Sequence, residues 1–338
     1  MRTPRSQQRE HIHAVMRLAG EGRALASAAA LHAPDEIIRA SWARCVHEHR
    51  LDPTRMQEAV ILPQHLVREH RERIDDFLHI ARHGLESLYQ QVAGMGYCVL
   101  LTDERGVTVD FIGDLQLDAS LRRAGLYLGA DWSEHHAGTC GVGTAIATGQ
   151  ALTVHRGDHF DATHIPLTCT AAPVFDPLGR LNAILDISAL TSPQAKASQH
   201  LALQLVKVYA QHVENANFLR WFQRDWVLRL NPSPEFLDAN PEYLLALDDG
   251  GRLIGHNRRA QLLLEDLPEG KQRQKAERVV SEAHNLDDFR ALWIEAQKRR
   301  QLIAHLLGDN FSPEVIREID QMNDFDLYDF FGKYGYHA

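Results

Sequence analysis

The chain has 338 residues, of which 44% are hydrophobic and 24% charged, a composition typical of soluble globular proteins with room for two or three domains. Its net charge of −9 does not favour nucleic-acid binding by the whole chain, and its apolar runs are shorter than the roughly 20 residues that cross a bilayer. The N-terminal segment lacks the apolar core of a signal peptide and the four cysteines have no CxxC spacing, so we expect a cytoplasmic protein with free thiols.

The first 60 residues are predicted to be helical. Pro34, with two acidic residues after it, is placed to begin a helix with one apolar face. The residues of that face recur at helical spacing: Ile37, Ile38, Trp42, Cys45 and Val46. Tryptophan and cysteine at this spacing are usually core residues, so we interpret residues 1–60 as a helical segment that packs on the domain after it.

A charged helix and a β-hairpin follow. Apolar residues keep the helical period from residue 64 to residue 93, with charged residues on the other face. Tyr97–Thr102 and Val107–Ile112 are apolar and β-prone. The residues between them, Asp103–Gly106, are typical of a tight turn, so the three pieces predict a hairpin.

The stretch 132–188 carries the densest pattern in the chain. Its first part has glycines that permit tight turns and close backbone approach, namely Gly138, Gly141, Gly143 and Gly149. A short helix is predicted at Thr144–Thr148, and an ordered polar segment at Thr153–Phe160. Two apolar strands, Thr170–Phe175 and Leu181–Ile187, are joined by a turn with proline at its second position.

These residues resemble the GAF domain of AcoR-type activators, the acetoin-catabolism branch of the sigma-54-dependent regulators. The matches occur in order and include Trp132, Glu134, Gly138, Thr139, Gly141–Ala145, Val154, Gly157, His159, Phe160, Cys169–Pro173, Asp176, Gly179 and Leu185–Ser188. Ile38–Cys45 is similar to the lead-in of the same family. Cys140 departs from it, because the family usually has asparagine there. The resemblance implies an α+β fold with a central antiparallel sheet, helices on one side and a ligand pocket on the other.

A small-molecule pocket needs an apolar wall and a few convergent polar groups. Trp132 is expected to supply the wall, and the Gly141–Gly143 turn to offer main-chain amides to a ligand oxygen. Asp186 is the most informative position, because a carboxylate inside an apolar strand requires a partner or a ligand. The candidate ligand contacts are Trp132, Glu134, His136, Thr139, Cys140, Gly141, His159, Cys169 and Asp186.

Two chemical alternatives use the same stretch. Cys140 and Cys169 lie within 30 residues of several histidines (His155, His159 and His164), which suits a metal or redox sensor although the spacing matches no closed zinc motif. Cys140 also precedes a predicted helix, whose N-terminus lowers the pKa of a thiol, and His135, His136 or His159 are candidate bases for a nucleophilic cysteine. No family signature of a cysteine enzyme surrounds Cys140. We therefore expect no enzyme, no resident metal and no cofactor.

Residues 192–226 are predicted to form one long helix. Ser192 and Pro193 suit its first turn, and the apolar positions repeat every 3.5 to 3.6 residues up to Trp226. A helix of roughly 30 residues is long for a globular domain. Two interpretations are compatible with each other: the helix pairs with its twin in a parallel homodimer, and it packs on its own sheet.

The remaining chain departs from the family pattern. Residues 227–267, with strands predicted at Tyr243–Leu247 and Arg252–Gly255 and a helix capped by Asn257, look like the opening of a PAS domain. Residues 268–338 read as a charged helical tail without the phosphate-binding motif G-x-x-x-x-G-K-[ST] of the family's ATPase and without a DNA-binding motif. Asn285–Arg290 and Asp324–Asp329 weakly resemble a C-terminal segment of type I restriction-enzyme motor subunits.

The sequence therefore predicts an α+β protein with five parts: an N-terminal helical segment (1–60), a GAF sensor domain (61–191), a signalling helix (192–226), a partial PAS-like module (227–267) and a helical tail (268–338). Its expected function is that of a small-molecule-sensing transcriptional regulator. Its expected partners are a ketone, alcohol or aromatic effector, a second copy of the chain through residues 192–226, and a full-length regulator or the transcription machinery. No membrane partner is expected. The alternatives are a redox or metal sensor using Cys140 and Cys169, and a DNA-modification accessory protein acting through the tail.

Overall fold

The computed structural model describes residues 4–25, 34–56, 59–192, 195–231, 236–248 and 252–265. The described residues form two compact units. The first lies within Met1–Val174 and Leu181–Val213, and the second within Phe175–Arg180 and Glu214–Ala338. The predicted tail, residues 268–338, and both segments in it that resemble the restriction-enzyme subunit lie outside the described residues.

Helices and strands follow one another in groups along the described chain. The helices are α1 (Pro4–Leu25), α2 (Pro34–His47), α3 (Gln64–Glu72), α4 (Asp75–Val92), α5 (Asp118–Arg123), α6 (Glu134–Ala137), α7 (Gly141–Thr148), α8 (His200–Trp221) and α9 (Arg258–Glu265). The strands are β1 (Tyr97–Asp103), β2 (Thr108–Ile112), β3 (Leu152–His155), β4 (Thr168–Phe175), β5 (Leu181–Ala189), β6 (Trp226–Leu230), β7 (Tyr243–Leu247) and β8 (Leu253–His256). Short 3₁₀ helices occur at Leu115–Leu117, Arg156–Asp158, Ala162–His164 and Lys196–Gln199.

The first unit is built on a five-stranded sheet with the order β2-β1-β5-β4-β3. Strand β1 runs antiparallel to both β2 and β5, and β3 runs antiparallel to β4. The register places Leu100 opposite Asp186 and Val154 opposite Cys169. The central strand β5 therefore carries Asp186 into the middle of the sheet.

The two faces of this sheet bury different helices. Alternation along β5 sends Leu185 and Ile187 to one face, where they join α4 and the part of α8 up to Val213 in an apolar core. Ile184 and Asp186 lie on the opposite face, where α1, α2, α5 and α7 contribute to a second core. The face that the resemblance assigns to a ligand pocket is thus covered by helices as well.

The second unit contains a three-stranded sheet in the order β6-β7-β8. Phe218 and Phe222 pack against Leu244 and Ala246 of β7 to form its core. Asn257 caps α9 as predicted, because its Oδ1 accepts the N–H of Ala260 at 2.9 Å.

The strands and turns predicted from the sequence are confirmed, with bounds that differ by one or two residues. Strand β3 was not predicted, because its four residues are polar at alternate positions and sit inside the expected polar segment. The predicted helix at 64–93 is two helices, separated at Arg73 and Ile74. Arg73 there donates to Asp103 at 3.1 Å, a tertiary contact that helical periodicity does not reveal.

The helix predicted at 192–226 is shorter at both ends. It spans His200–Trp221 and follows a 3₁₀ turn in which Gln199 accepts the hydroxyl of Tyr97 at 2.7 Å. Trp226 belongs to β6 and not to the helix, so its place in the predicted helical stripe is wrong. Within the described residues, none of the helices combines the length and the apolar character that a bilayer-crossing segment requires.

Candidate functional site

Helix α7 begins at Gly141, three residues earlier than predicted, and Cys140 caps it. The Cys140 Sγ accepts the N–H of Gly143 at 3.3 Å and donates to the carbonyl oxygen of Trp132 at 3.0 Å. The Gly143 amide is therefore occupied and is not offered to a ligand, contrary to the prediction for this turn. Burial raises the pKa of the Cys140 thiol, so the expectation that the helix N-terminus lowers it is wrong.

Asp186 lies beneath the start of α7 and is completely buried. Its Oδ2 accepts the hydroxyl of Ser188 at 2.6 Å, whereas its Oδ1 has no hydrogen-bond partner. Burial raises the pKa of Asp186 to about 7, because the charged form loses its hydration. Leaving a buried oxygen unpaired costs about 1–3 kcal/mol, so this carboxyl group is a position where a ligand atom would gain a strong interaction.

Gly141 makes the close approach of α7 to the sheet possible. A Cβ atom at this position would lie 2.9 Å from the Cβ of Cys169 and 3.1 Å from the Oδ1 of Asp186. Only glycine therefore leaves the unpaired oxygen of Asp186 and the thiol of Cys169 side by side under the helix.

His159 fixes the protonation of its neighbour Cys169. The Nδ1 of His159 lies 2.9 Å from the carbonyl oxygen of Arg156, which can only accept, so Nδ1 carries the proton. Burial lowers the pKa of His159 to about 3, so its Nε2 is unprotonated and accepts the S–H of Cys169 across 3.4 Å. Burial also raises the pKa of Cys169, so both partners are neutral.

His164 extends this buried chain of polar groups to Trp132. Its ring lies 6.0 Å from that of His159 and 5.3 Å from that of Trp132, and its Nδ1 has no hydrogen-bond partner. His136 and Asp161 line, together with Trp132 and His164, a cavity of about 10 Å³. Such a cavity holds roughly one water molecule, far less than a metabolite needs.

Glu134 is buried but is not free to contact a ligand. Arg44 of α2 donates to both of its oxygens, at 2.7 and 2.9 Å. Ser41, one turn earlier on α2, donates its hydroxyl to the Oε1 of Glu134 at 2.6 Å. Helices α2 and α6 are thereby joined by a partly buried ion pair between residues that are 90 positions apart in sequence.

Ser41 also explains the position of Thr139. Its Oγ lies 2.7 Å from the Oγ1 of Thr139 and 3.2 Å from that of Thr144. Because the single proton of Ser41 goes to Glu134, Thr139 donates to Ser41. His136 lies outside this network: its ring stacks on His135 at 3.8 Å and its Nε2 is 3.5 Å from Asp131.

The nine predicted contacts thus fall into three groups. The first surrounds the unpaired carboxyl oxygen and comprises Cys140, Gly141, Cys169, His159 and Asp186. The second, Glu134 and Thr139, is held by α2, and the third, Trp132 and His136, borders the small cavity. Ser41 and Arg44 were not predicted to belong to the site, and His164 was predicted only as a candidate metal ligand and not as part of the cavity wall. A serine and an arginine beside an apolar helix face were the available signal for the first two.

The metal and redox alternatives receive no support from this geometry. Among the residues that the structure describes, no group of three or more His, Cys, Asp or Glu side chains is arranged to hold a metal ion. All four cysteines are buried and free. Buried, protonated thiols react slowly, because the thiolate is the reactive form.

Comparisons with known proteins agree with the fold. A family model described as "GAF domain" matches residues 76–217. Over 258 residues the chain is 69% identical to the acetoin catabolism regulatory protein of Cupriavidus necator, which covers 76% of this chain and 39% of that protein. It is 30% identical over 183 residues to a signal-transduction and transcriptional-control protein of Clostridium beijerinckii, covering 54% of this chain and 28% of that protein.

A solved structure supports the architecture. A chain in the crystal structure of the E. coli DhaR(N)–DhaL complex matches with a TM-score of 0.50 and 20% identity, covering 68% of this chain and 76% of that chain. At this identity the match shows the fold alone. The present chain spans less than half the length of each of the two curated relatives.

Proposed function

We propose that this chain is a sensory region that binds a small organic effector and controls transcription. The support is the match of a GAF-domain model to residues 76–217 and the 69% identity over 258 residues to an acetoin catabolism regulatory protein. The observation that carries this proposal is Asp186, a buried carboxyl group with one unpaired oxygen at the centre of the first unit. A GAF domain that served only as a structural spacer would have no need of that group, since an apolar residue would cost less.

The environment of Asp186 defines the chemistry of the effector. Near neutral pH a carboxyl group with a pKa of about 7 is present in both forms. Its protonated form donates to a carbonyl oxygen, and its ionised form accepts from a hydroxyl group. Anions are disfavoured, because Asp186 itself becomes negative as the pH rises. The apolar surroundings, including Ala171 and Ile184, suit a short alkyl or aromatic group, so a neutral ketone, alcohol or phenol fits best.

Binding at Asp186 requires the site to open, because this carboxyl group is completely buried and the cavity of about 10 Å³ beside Trp132 is lined by other residues. The covering helices are attached at three points in addition to the Arg44–Glu134 pair. Ser41 bonds to Glu134, the Nε1 of Trp42 donates to the carbonyl oxygen of Asp158 at 2.9 Å, and His11 lies 3.2 Å from the carbonyl oxygen of Phe160. We propose that α1 and α2 move when the effector enters.

The proposed output is a change in how the chain contacts a second copy or the transcription machinery. Leu201 and Val208 are exposed and seven residues apart on α8, which suits a parallel helix pair. An effector that binds one arrangement of this pair more tightly would favour it by its difference in affinity.

A thermal-shift panel on the full chain tests the effector proposal. Acetoin, acetone, 2-butanol and phenol serve as neutral probes, and acetate as the anionic control. A probe present at 100 times its Kd stabilises the folded chain by about 2.7 kcal/mol and raises the Tm. We expect one or more neutral probes to raise the Tm of the native chain, and Asp186→Asn to reduce that rise.

The matched control is Asp76→Asn, which changes an exposed carboxylate on α4. It should leave the ligand-induced rise intact. If none of the neutral probes raises the Tm, or if Asp186→Asn responds as the native chain does, the proposed site is wrong.

A further inference from the structure

Strands β4 and β5 connect the proposed effector site to the second unit through their turn. The strands carry Cys169 and Asp186 in the first unit, whereas their connection, Phe175–Arg180, groups with the second unit. Strands β4 and β5 are hydrogen-bonded neighbours in the first sheet, so we expect a shift at Asp186 to be passed along them towards the turn.

Glu214 on α8 holds the end of β4 within the second unit. Its Oε2 accepts the N–H of Phe175 at 3.3 Å, and its Oε1 accepts the N–H of Arg258 at 2.6 Å. Phe175 is the last residue of β4 and Arg258 the first residue of α9. One carboxylate therefore joins a strand end, a helix start and its own helix.

Further contacts fix the same turn to the start of α9. The guanidinium of Arg258 lies 4.5 Å from the ring centre of Phe175, and the carbonyl oxygen of Pro177 accepts the N–H of His256 at 3.0 Å. Gly179 approaches Gln261 so closely that a Cβ atom would lie 2.8 Å from its Oε1. The turn cannot shift without disturbing the first turn of α9.

A carboxylate at position 214 lowers the stability of the fold, because burial removes its hydration. Glu214 is almost completely buried, and this burial raises its pKa to about 7 despite the two main-chain donors. A residue that only filled space would avoid this cost. An apolar residue cannot accept hydrogen bonds from the N–H groups of two different elements, as Glu214 does.

We propose that Glu214 is the positioning residue that couples the effector site to α9. Movement of the β4–β5 hairpin at Asp186 shifts Phe175, and the two hydrogen bonds of Glu214 transfer that shift to the N-terminus of α9. The inference rests on the proposed function in one respect, namely that effector binding is what moves Asp186. The connection from Asp186 to α9 rests on the contacts of the hairpin and of Glu214.

The connection is testable without an effector, by a double-mutant cycle read by amide hydrogen exchange in the full chain. Asp186→Asn perturbs the site, Glu214→Gln keeps the shape of residue 214 but leaves it one acceptor oxygen, and the readout is exchange at residues 259–262. Loss of a hydrogen bond to a charged group accelerates exchange of the dependent amides roughly tenfold. We expect Asp186→Asn to change exchange at residues 259–262 severalfold when Glu214 is present, and to have no further effect in Glu214→Gln.

A second pair of variants covers the case that Glu214→Gln does not fold. Arg258→Pro removes the N–H that donates to Glu214, and proline is well tolerated at the first position of a helix. Arg258→Ala also removes the side chain but keeps that N–H. We expect Asp186→Asn to change amide exchange at residues 259–262 in Arg258→Ala but not in Arg258→Pro.

Two results would overturn the coupling: an effect of Asp186→Asn at residues 259–262 that is equal in the presence and absence of Glu214, or no effect there in the otherwise native chain. Both concern only the connection, since the cycle contains no ligand. Absence of acetoin binding would bear on the proposed function alone. If acetoin binds but amide exchange in α9 does not change, the proposed coupling is wrong and the proposed effector site is retained.

Discussion

Asp186 is the residue on which the proposed function depends, and its ionisation is expected to make the stability of the fold depend on pH. Its pKa rises from 3.8 to about 7 on folding, so the folded chain holds this proton more tightly than the unfolded chain. Stability from the proton is fully present below the unfolded value and is lost as the pH rises through about 7.

Replacing Asp186 by asparagine removes this titrating group, so it no longer contributes to the difference in bound protons between the folded and unfolded chains. We expect the unfolding free energy of the native chain, relative to that of Asp186→Asn, to fall by up to about 1.4 kcal/mol per pH unit between the two pKa values and to level off above them. Urea denaturation at a series of pH values measures this difference. Asp76→Asn is the control, and a difference that does not vary with pH would contradict the buried, titrating carboxyl group.

Gly141 is predicted to be irreplaceable for steric reasons. In a helix alanine is normally favoured over glycine by about 1 kcal/mol. At this position its Cβ would overlap Cys169, on a strand that cannot retreat, so we expect Gly141→Ala to lower the unfolding free energy by about 1–3 kcal/mol. Gly157→Ala is the matched control, since its Cβ would meet its nearest neighbour only at 4.0 Å. Equal stability of the two variants in urea denaturation would argue against the close approach.

Single residues could be predicted where a local pattern constrained them. Asp186 was identified because a carboxylate interrupts an apolar strand, and Gly141 because glycines cluster before a helix. Arg44 and Ser41 were not, because their partner Glu134 is 90 or more positions away and only the folded chain brings them together. The raised pKa of the Cys140 thiol was not predicted for a related reason. Burial, which only the folded chain reveals, raises this pKa and outweighs the effect of the helix N-terminus.

At the scale of elements, α2 is expected to act as a cover over the site. Arg44→Met removes the charge that neutralises buried Glu134, and breaking such a pair costs about 3–5 kcal/mol when both partners are buried. Arg44 is 23% exposed, so we expect a smaller loss of about 2–4 kcal/mol.

Local amide exchange separates the opening of a cover from general unfolding. In Arg44→Met we expect faster exchange in α2 than in the native chain and unchanged exchange in α4. Arg17→Met, on an exposed position of α1, is the control. Equal acceleration of exchange in α2 and α4 would show that the whole unit unfolds. It would contradict the proposal that α2 opens locally over the site.

Elements could be predicted well where glycine and proline mark their ends. Both hairpins of the first sheet follow from turn residues between apolar runs. Interruptions without such residues were not predictable. The break between α3 and α4 coincides with a contact of Arg73 with Asp103, and the late start of α8 coincides with a contact of Gln199 with Tyr97. Strand β3 owes its extended form to pairing with β4 and not to its own composition.

For the whole molecule, the exposed face of α8 predicts self-association. Leu201 is 78% exposed and Val208 47% exposed, and both lie on one stripe of the helix. We expect the double variant Leu201→Glu/Val208→Glu to sediment as a single chain, whereas the native chain sediments at the mass of two. Lys207→Glu, an exposed change beside the stripe, should remain dimeric. A native chain that sediments as a monomer at micromolar concentration would contradict the predicted helix pair.

Isothermal titration with acetoin, at the same pH for every variant, tests the receptor most directly. We expect the native chain and Asp76→Asn to bind with the same Kd, and Asp186→Asn to bind at least about tenfold more weakly, a loss of about 1.4 kcal/mol. Equal affinity of Asp186→Asn and the native chain for acetoin would show that the buried carboxyl group is not where the effector binds.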